Sequence, residues 1–96
     1  MTLQQIANRL SEWFASPNEI DEDGYRSPSG KAIAAAYNLT PTLGADLPDM
    51  LVPDADGGIS FEWHRAPELR LIRIDDEGVE KRLIYMNHVL QACTDA

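Results

Sequence analysis

Few side chains in this 96-residue chain are suited to chemistry, and their spacing decides which chemistry is open to them. Glu62 and His64 stand two apart in the run ISFEWH. On a strand, residues two apart point to one face, so this carboxylate and imidazole could exchange a proton beneath a pocket. The same spacing describes the polar side of a half-buried sheet, and that is the expected reading. The only other imidazole is His88 and the only thiol is Cys93. None of the three pairs at a helical ligand spacing and there is no Cys-x-x-Cys, so no metal site is expected. Cys93 lies where chain ends fray, a poor position for a nucleophile that needs fixed geometry.

Two further stretches imitate binding loops. DADGG, residues 54–58, puts Asp54 and Asp56 at the first two ligand spacings of a calcium loop. Gly58 then stands where a third ligand belongs, and Glu62 is too near to close the site, so a hairpin turn is expected. Ser27-Pro28-Ser29-Gly30-Lys31 has the look of a phosphate loop but lacks its first glycine and a preceding strand. It reads as a helix cap. No catalytic residue, cofactor or metal is therefore expected.

The elements that must position these residues follow from periodicity. Leu3, Ile6, Ala7, Leu10, Trp13 and Phe14 recur at three- and four-residue steps, predicting a helix over 2–16 that opens with a Thr2/Gln5 capping box and stops at Pro17. Neighbouring helical residues point about 100° apart, so Trp13 and Phe14 do not both face the core, and one is expected to be partly exposed. Residues 17–27 read as an exposed acidic connection. Ser27-Pro28 predicts an N-cap with proline at the first helical position, then an alanine-rich helix that Pro41 ends or kinks.

Beyond Leu43 the pattern changes to strands. Met50–Val52 predicts a short edge strand, and ISFEWH places Ile59, Phe61 and Trp63 on one face. ELRLIRID has Leu69 and Leu71 on one side and Ile72 and Ile74 on the other, so it is buried on both faces or carries a bulge. A turn at Asp76-Glu77-Gly78 leads into VEKRLIYM, and the tail NHVLQACTDA is expected to form a short final helix. The predicted architecture is one α+β domain over 1–96. Two N-terminal helices pack on one face of an antiparallel meander of three or four strands. The face opposite the helices is expected to carry Glu62, His64, Arg70 and some of Arg82, Ile84 and Ile72.

Pro53, Asp56-Gly57-Gly58-Ile59 and Glu62-Trp63 together resemble a group of small bacterial proteins with a Pro-x-x-Asp-Gly-Gly-Ile-x-x-Glu-Trp hairpin pattern. The likeness spans roughly residues 28–78. It implies an alanine-rich helix before the hairpin and a Leu/Ile-rich strand after it. No activity is attached to the group, so the resemblance implies no site residues.

Sixteen acidic against eight basic residues give a net charge of −8. Proteins that grip nucleic acid replace counterions with Lys and Arg, so direct nucleic-acid binding is not expected. Attraction to a basic partner surface is. No apolar run approaches the roughly 20 residues that span a bilayer, and the N-terminus has no basic leader, so a cytoplasmic protein without membrane contact is expected. The expected function is non-enzymatic: an interaction or regulatory protein of the antitoxin, immunity or phage-inhibitor kind that binds another protein. Its candidate surface is Trp13, Glu62, His64, Arg70 and Arg82, with self-association open through an edge strand or the first helix. Two alternatives stand beside it. One is a nucleic-acid mimic built from Glu19, Asp21, Glu22 and Asp23 with Asp75, Asp76, Glu77 and Glu80. The other is a small enzyme or ligand-binding domain at the Glu62/His64 face.

Overall fold

Helix α1 spans Leu3–Ala15 in the computed structural model, which describes residues 1–15 and 26–95. Its capping box is formed: the Thr2 N–H donates to Gln5 Oε1 at 2.8 Å and the Gln5 N–H donates to Thr2 Oγ1 at 3.1 Å. Two N–H groups that have no partner within the helix are thereby satisfied. The helix buries Ile6 and Leu10 and leaves Trp13 half-buried beneath the Arg9 guanidinium, while Phe14 is 64% exposed. Residues 17–25 of the acidic connection, with the stop at Pro17, fall outside the described residues.

Helix α2 spans Gly30–Leu39, and its cap is Ser29, not Ser27. Ser29 is extended (φ −69°, ψ 160°) and its Oγ accepts from the Ala32 N–H. Pro28 precedes the cap as a buried residue instead of opening the helix. After Leu39 the chain tightens into a 3-10 turn, Thr40–Leu43, with Pro41 near its start, where no N–H is required. The α-helix thus ends just before Pro41, as expected.

Five strands follow: β1 Met50–Pro53, β2 Ile59–Arg65, β3 Glu68–Ile74, β4 Glu80–Met86 and β5 Val89–Asp95. They form one antiparallel sheet in sequence order. The α+β class and the meander stand, but the sheet exceeds the expected three or four strands because the tail is β5, not a helix. Asn87 and His88 both take positive φ (50° and 68°) and reverse the chain in two residues, which brings Val89 against Met86. A bulge then shifts the register between Ile84 and Tyr85.

Directly paired residues share a face. The helix side therefore carries Leu51, Phe61, Ile72 and Arg82 in one row and Trp63, Arg70, Ile84 and Ala92 in the next. Ile6, Leu10, Ile33, Ala36, Phe61, Trp63, Ile72 and Ile74 unite as the core. On the outer side Leu71 and Leu83 are register partners, buried but separate from that cluster. Strand β3 is thus buried on both faces, and the bulge lies in the β4–β5 ladder.

Two turns of one design anchor α2 to the sheet. Asp54 Oδ1 accepts from the N–H groups of Asp56 (2.7 Å) and Gly58 (3.1 Å), and Asp75 Oδ1 does the same for Glu77 and Val79 (both 2.9 Å). Each turn has a glycine at positive φ, Gly57 at 90° and Gly78 at 84°. The Ser29 N–H donates to Gly57 O at 2.9 Å, and its hydroxyl donates to Asp76 O at 2.6 Å. DADGG is thus a hairpin turn whose first carboxylate serves its own backbone.

Candidate functional site

The helical layer does not cover the sheet evenly. Helix α2 rests on β2 and β3, while Arg82, Ala92 and Thr94, on the helix side of β4 and β5, are exposed. Between that shelf and the 3-10 turn runs a groove of about 370 Å³. Its floor includes Trp63, Ile72 and Ile84, and its walls include Thr42, Asp46 and Arg82.

One aspartate organises the groove. The Trp63 indole N–H donates to Asp46 O at 3.1 Å, and the Arg70 guanidinium pairs with the Asp46 carboxylate. Arg70 also lies over the Trp63 ring, 4.6 Å from its centroid, a distance at which the ring's negative face attracts a cation. Arg70 is therefore fixed. Arg82 is held more loosely, reaching Glu80 only at 4.0 Å. The groove joins an apolar floor to two cations, Arg70 paired with Asp46 and Arg82 at 4.0 Å from Glu80.

The outer side of the sheet carries the Glu62–His64 pair. His64 Nε2 and Glu62 Oε1 are 2.9 Å apart, with Glu62 half-buried and His64 exposed. An open cavity of about 680 Å³ adjoins His64 and His88, lined also by Pro67, Glu68 and Leu69, but Glu62 is not part of its wall. Beside the pair, the Asp49 carboxylate accepts the His64 backbone N–H at 2.7 Å and meets the Arg65 guanidinium. These contacts, the backbone bond foremost, hold the Asp49 carboxyl below the usual carboxylate range. Among the described residues, no three His, Cys, Asp or Glu side chains are grouped to hold a metal ion.

The expected surface is thus divided. Glu62 and His64 are neighbours on the outer side as expected. Arg70 and Arg82 lie on the helix side, because Arg70 pairs with Trp63 and Arg82 with Ile72. Trp13 sits apart on α1, its ring engaged by Arg9 at 5.1 Å. Alternation alone put Arg70 with Ile72 and Ile74; what it lacked was which apolar side of β3 meets the helices. Asp46, Ala92 and Thr94 were missed, since a loop aspartate and two small tail residues carry no periodic signal. Of the acids weighed as a mimic stripe, Glu19, Asp21, Glu22 and Asp23 fall outside the described residues. Asp75, Asp76 and Glu77 occupy the β3–β4 turn.

Comparisons with protein-family models, with curated proteins and with solved structures gave no match. No helix among the described residues is long and apolar enough to cross a membrane.

Proposed function

We propose that this chain is a non-enzymatic interaction protein that regulates another protein by binding it along the helix side of β4 and β5. The observation that carries this reading is the groove left where a two-helix layer stops short of a five-stranded sheet. A groove with an apolar floor and a few placed polar groups supplies both driving force and orientation. Overall the chain is strongly acidic, which draws a basic partner at long range. Inside the groove the balance reverses, with Arg70 and Arg82 facing the single carboxylate of Asp46. A partner segment that lays an apolar side chain over Ile84 and a carboxylate against Arg82 fits both features. A small inhibitor or antitoxin acts in this way, by occupying a surface its target needs.

The test is affinity capture from the native host with the unaltered chain, with Ile84→Asp and with Arg82→Glu. One stoichiometric protein retained by the first and lost from both variants is the expected result. No partner, or one that binds all three chains equally, removes this reading. The 2.9 Å Glu62–His64 pair favours a second reading, a small-ligand or acid–base site on the outer side. A ligand that shifts the His64 ring resonances, and fails to do so in Glu62→Gln, would support it.

A further inference from the structure

The outer surface of the helical layer has a knob and a hole on one helix face. Leu3, Ala7, Leu10 and Phe14 follow each other at four-, three- and four-residue steps, and at 100° per residue they fall within roughly 60° of arc. That is the spacing of a coiled-coil seam. It is distinct from the core-facing set of Ile6, Leu10 and Trp13 and shares only Leu10 with it.

The knob is Phe14, 64% exposed. The hole is an apolar cavity of about 230 Å³ between α1 and the end of α2, lined by Leu3, Ala7, Leu10, Tyr37 and Pro41 among others. A cavity of roughly 150 Å³ is enough to hold a benzene ring. Leu3 and Tyr37 at its rim are 55% and 41% exposed.

We infer that this face is a homodimer interface in which Phe14 of each copy fills the cavity beside Leu3 and Ala7 of the other. The seam is self-complementary. A two-fold axis between Asn8 and Arg9 sets the helices antiparallel and places Leu3 against the partner's Phe14, with Leu10 buried beneath the seam. The small Ala7 lets the two helices approach. An isologous contact of this kind uses knob and hole twice and closes on itself.

Charge argues for the same occupant. Of the chain's residues, 25% are charged, yet the three charged side chains on α1 and α2 all lie away from the seam. Arg9 and Glu12 line the opposite groove between α1 and β1, and Lys31 pairs with Glu77 at 2.8 Å. Among the described residues of the two helices, no charged side chain of a chain with net charge −8 therefore lies on the seam. The cavity and the β4–β5 groove share no lining residue.

The test is the mass of the full chain in solution, by sedimentation from about 1 to 300 μM, with Phe14→Glu beside it. The expected result is a species of twice the 10.7 kDa chain mass for the unaltered protein. Phe14→Glu is expected to be a monomer with unchanged circular dichroism, because Phe14 contributes little to the core. As an independent check, Leu3→Cys and Phe14→Cys chains, each also Cys93→Ser, are mixed and oxidised. They should form the mixed disulfide in preference to either like pair. A monomer throughout the range, a dimer that survives Phe14→Glu, or like pairs outnumbering the mixed disulfide would each overturn the inference. Loss of the captured partner would not, since the groove proposed for it shares no lining residue with this cavity.

Discussion

The half of the sheet under the helices and the half beyond them are built of the same antiparallel ladder, yet they do different work. Under the helices, Phe61 and Ile74 are fully buried in the core shared with α1 and α2, and Trp63 and Ile72 mark the border with the groove. Beyond them, Ile84 is half-buried and Arg82, Ala92 and Thr94 are exposed. The ladder between β4 and β5 holds these strands in the sheet although the helices do not cover them. That teaches how a short chain can hold its fold with one half of a sheet and present the other.

Substitutions separate the two halves most sharply. Phe61→Ala, in the covered half, empties a fully buried site and should cost about 3–5 kcal/mol in urea unfolding. Ile84→Ala, in the uncovered half, should cost only about 1 kcal/mol. Equal losses would mean that the two halves share one core. Gly58→Ala is expected to cost about 3 kcal/mol. A Cβ there collides with the Ile74 carbonyl and the Asp54 carboxylate, and both are fixed by the β2–β3 pairing and the turn.

Ser29→Ala removes a helix cap together with the bond to Asp76 O, and should lower stability by about 1–2 kcal/mol. A smaller effect comes from Asp49, whose lowered carboxyl belongs to the end of the sheet near His64. A carboxyl depressed in the folded chain stabilises it above the unfolded value of about 3.9. That contribution is lost as the pH falls through the lower folded value. Unfolding measured across this acid range should show a shallower pH slope in Asp49→Asn. The smallest change expected is Ser60→Ala. Its buried hydroxyl has no hydrogen-bond partner among the described residues, so removing it should leave stability unchanged or slightly raised.

The same division governs how much could be read from the residues alone. Helix α1 and strands β1 to β4 are legible because burial on a defined face imposes a period on Leu3 to Phe14 and on Ile59 to Trp63. Strand β5 has no such face. Its residues 89–94 are exposed, the bulge breaks its alternation, and its turn is Asn87-His88 in place of a glycine-bearing pair. The cap of α2 was misplaced by two residues because Ser27 and Ser29 both flank Pro28. Only contacts distant in sequence, with Gly57 and Asp76, select Ser29. The Glu62–His64 pair was readable from its two-residue spacing. The groove was not, since it depends on where the helical layer ends.

The account's central claim is that the uncovered β4–β5 surface is where a partner sits. The most direct test places a photo-crosslinking amino acid at Ala92, in the groove, and in a second chain at Glu77, in the β3–β4 turn. Both are then irradiated in the native host. The account predicts one dominant protein adduct from position 92 and none from position 77. The same adducts from both positions, or none from position 92, would contradict it.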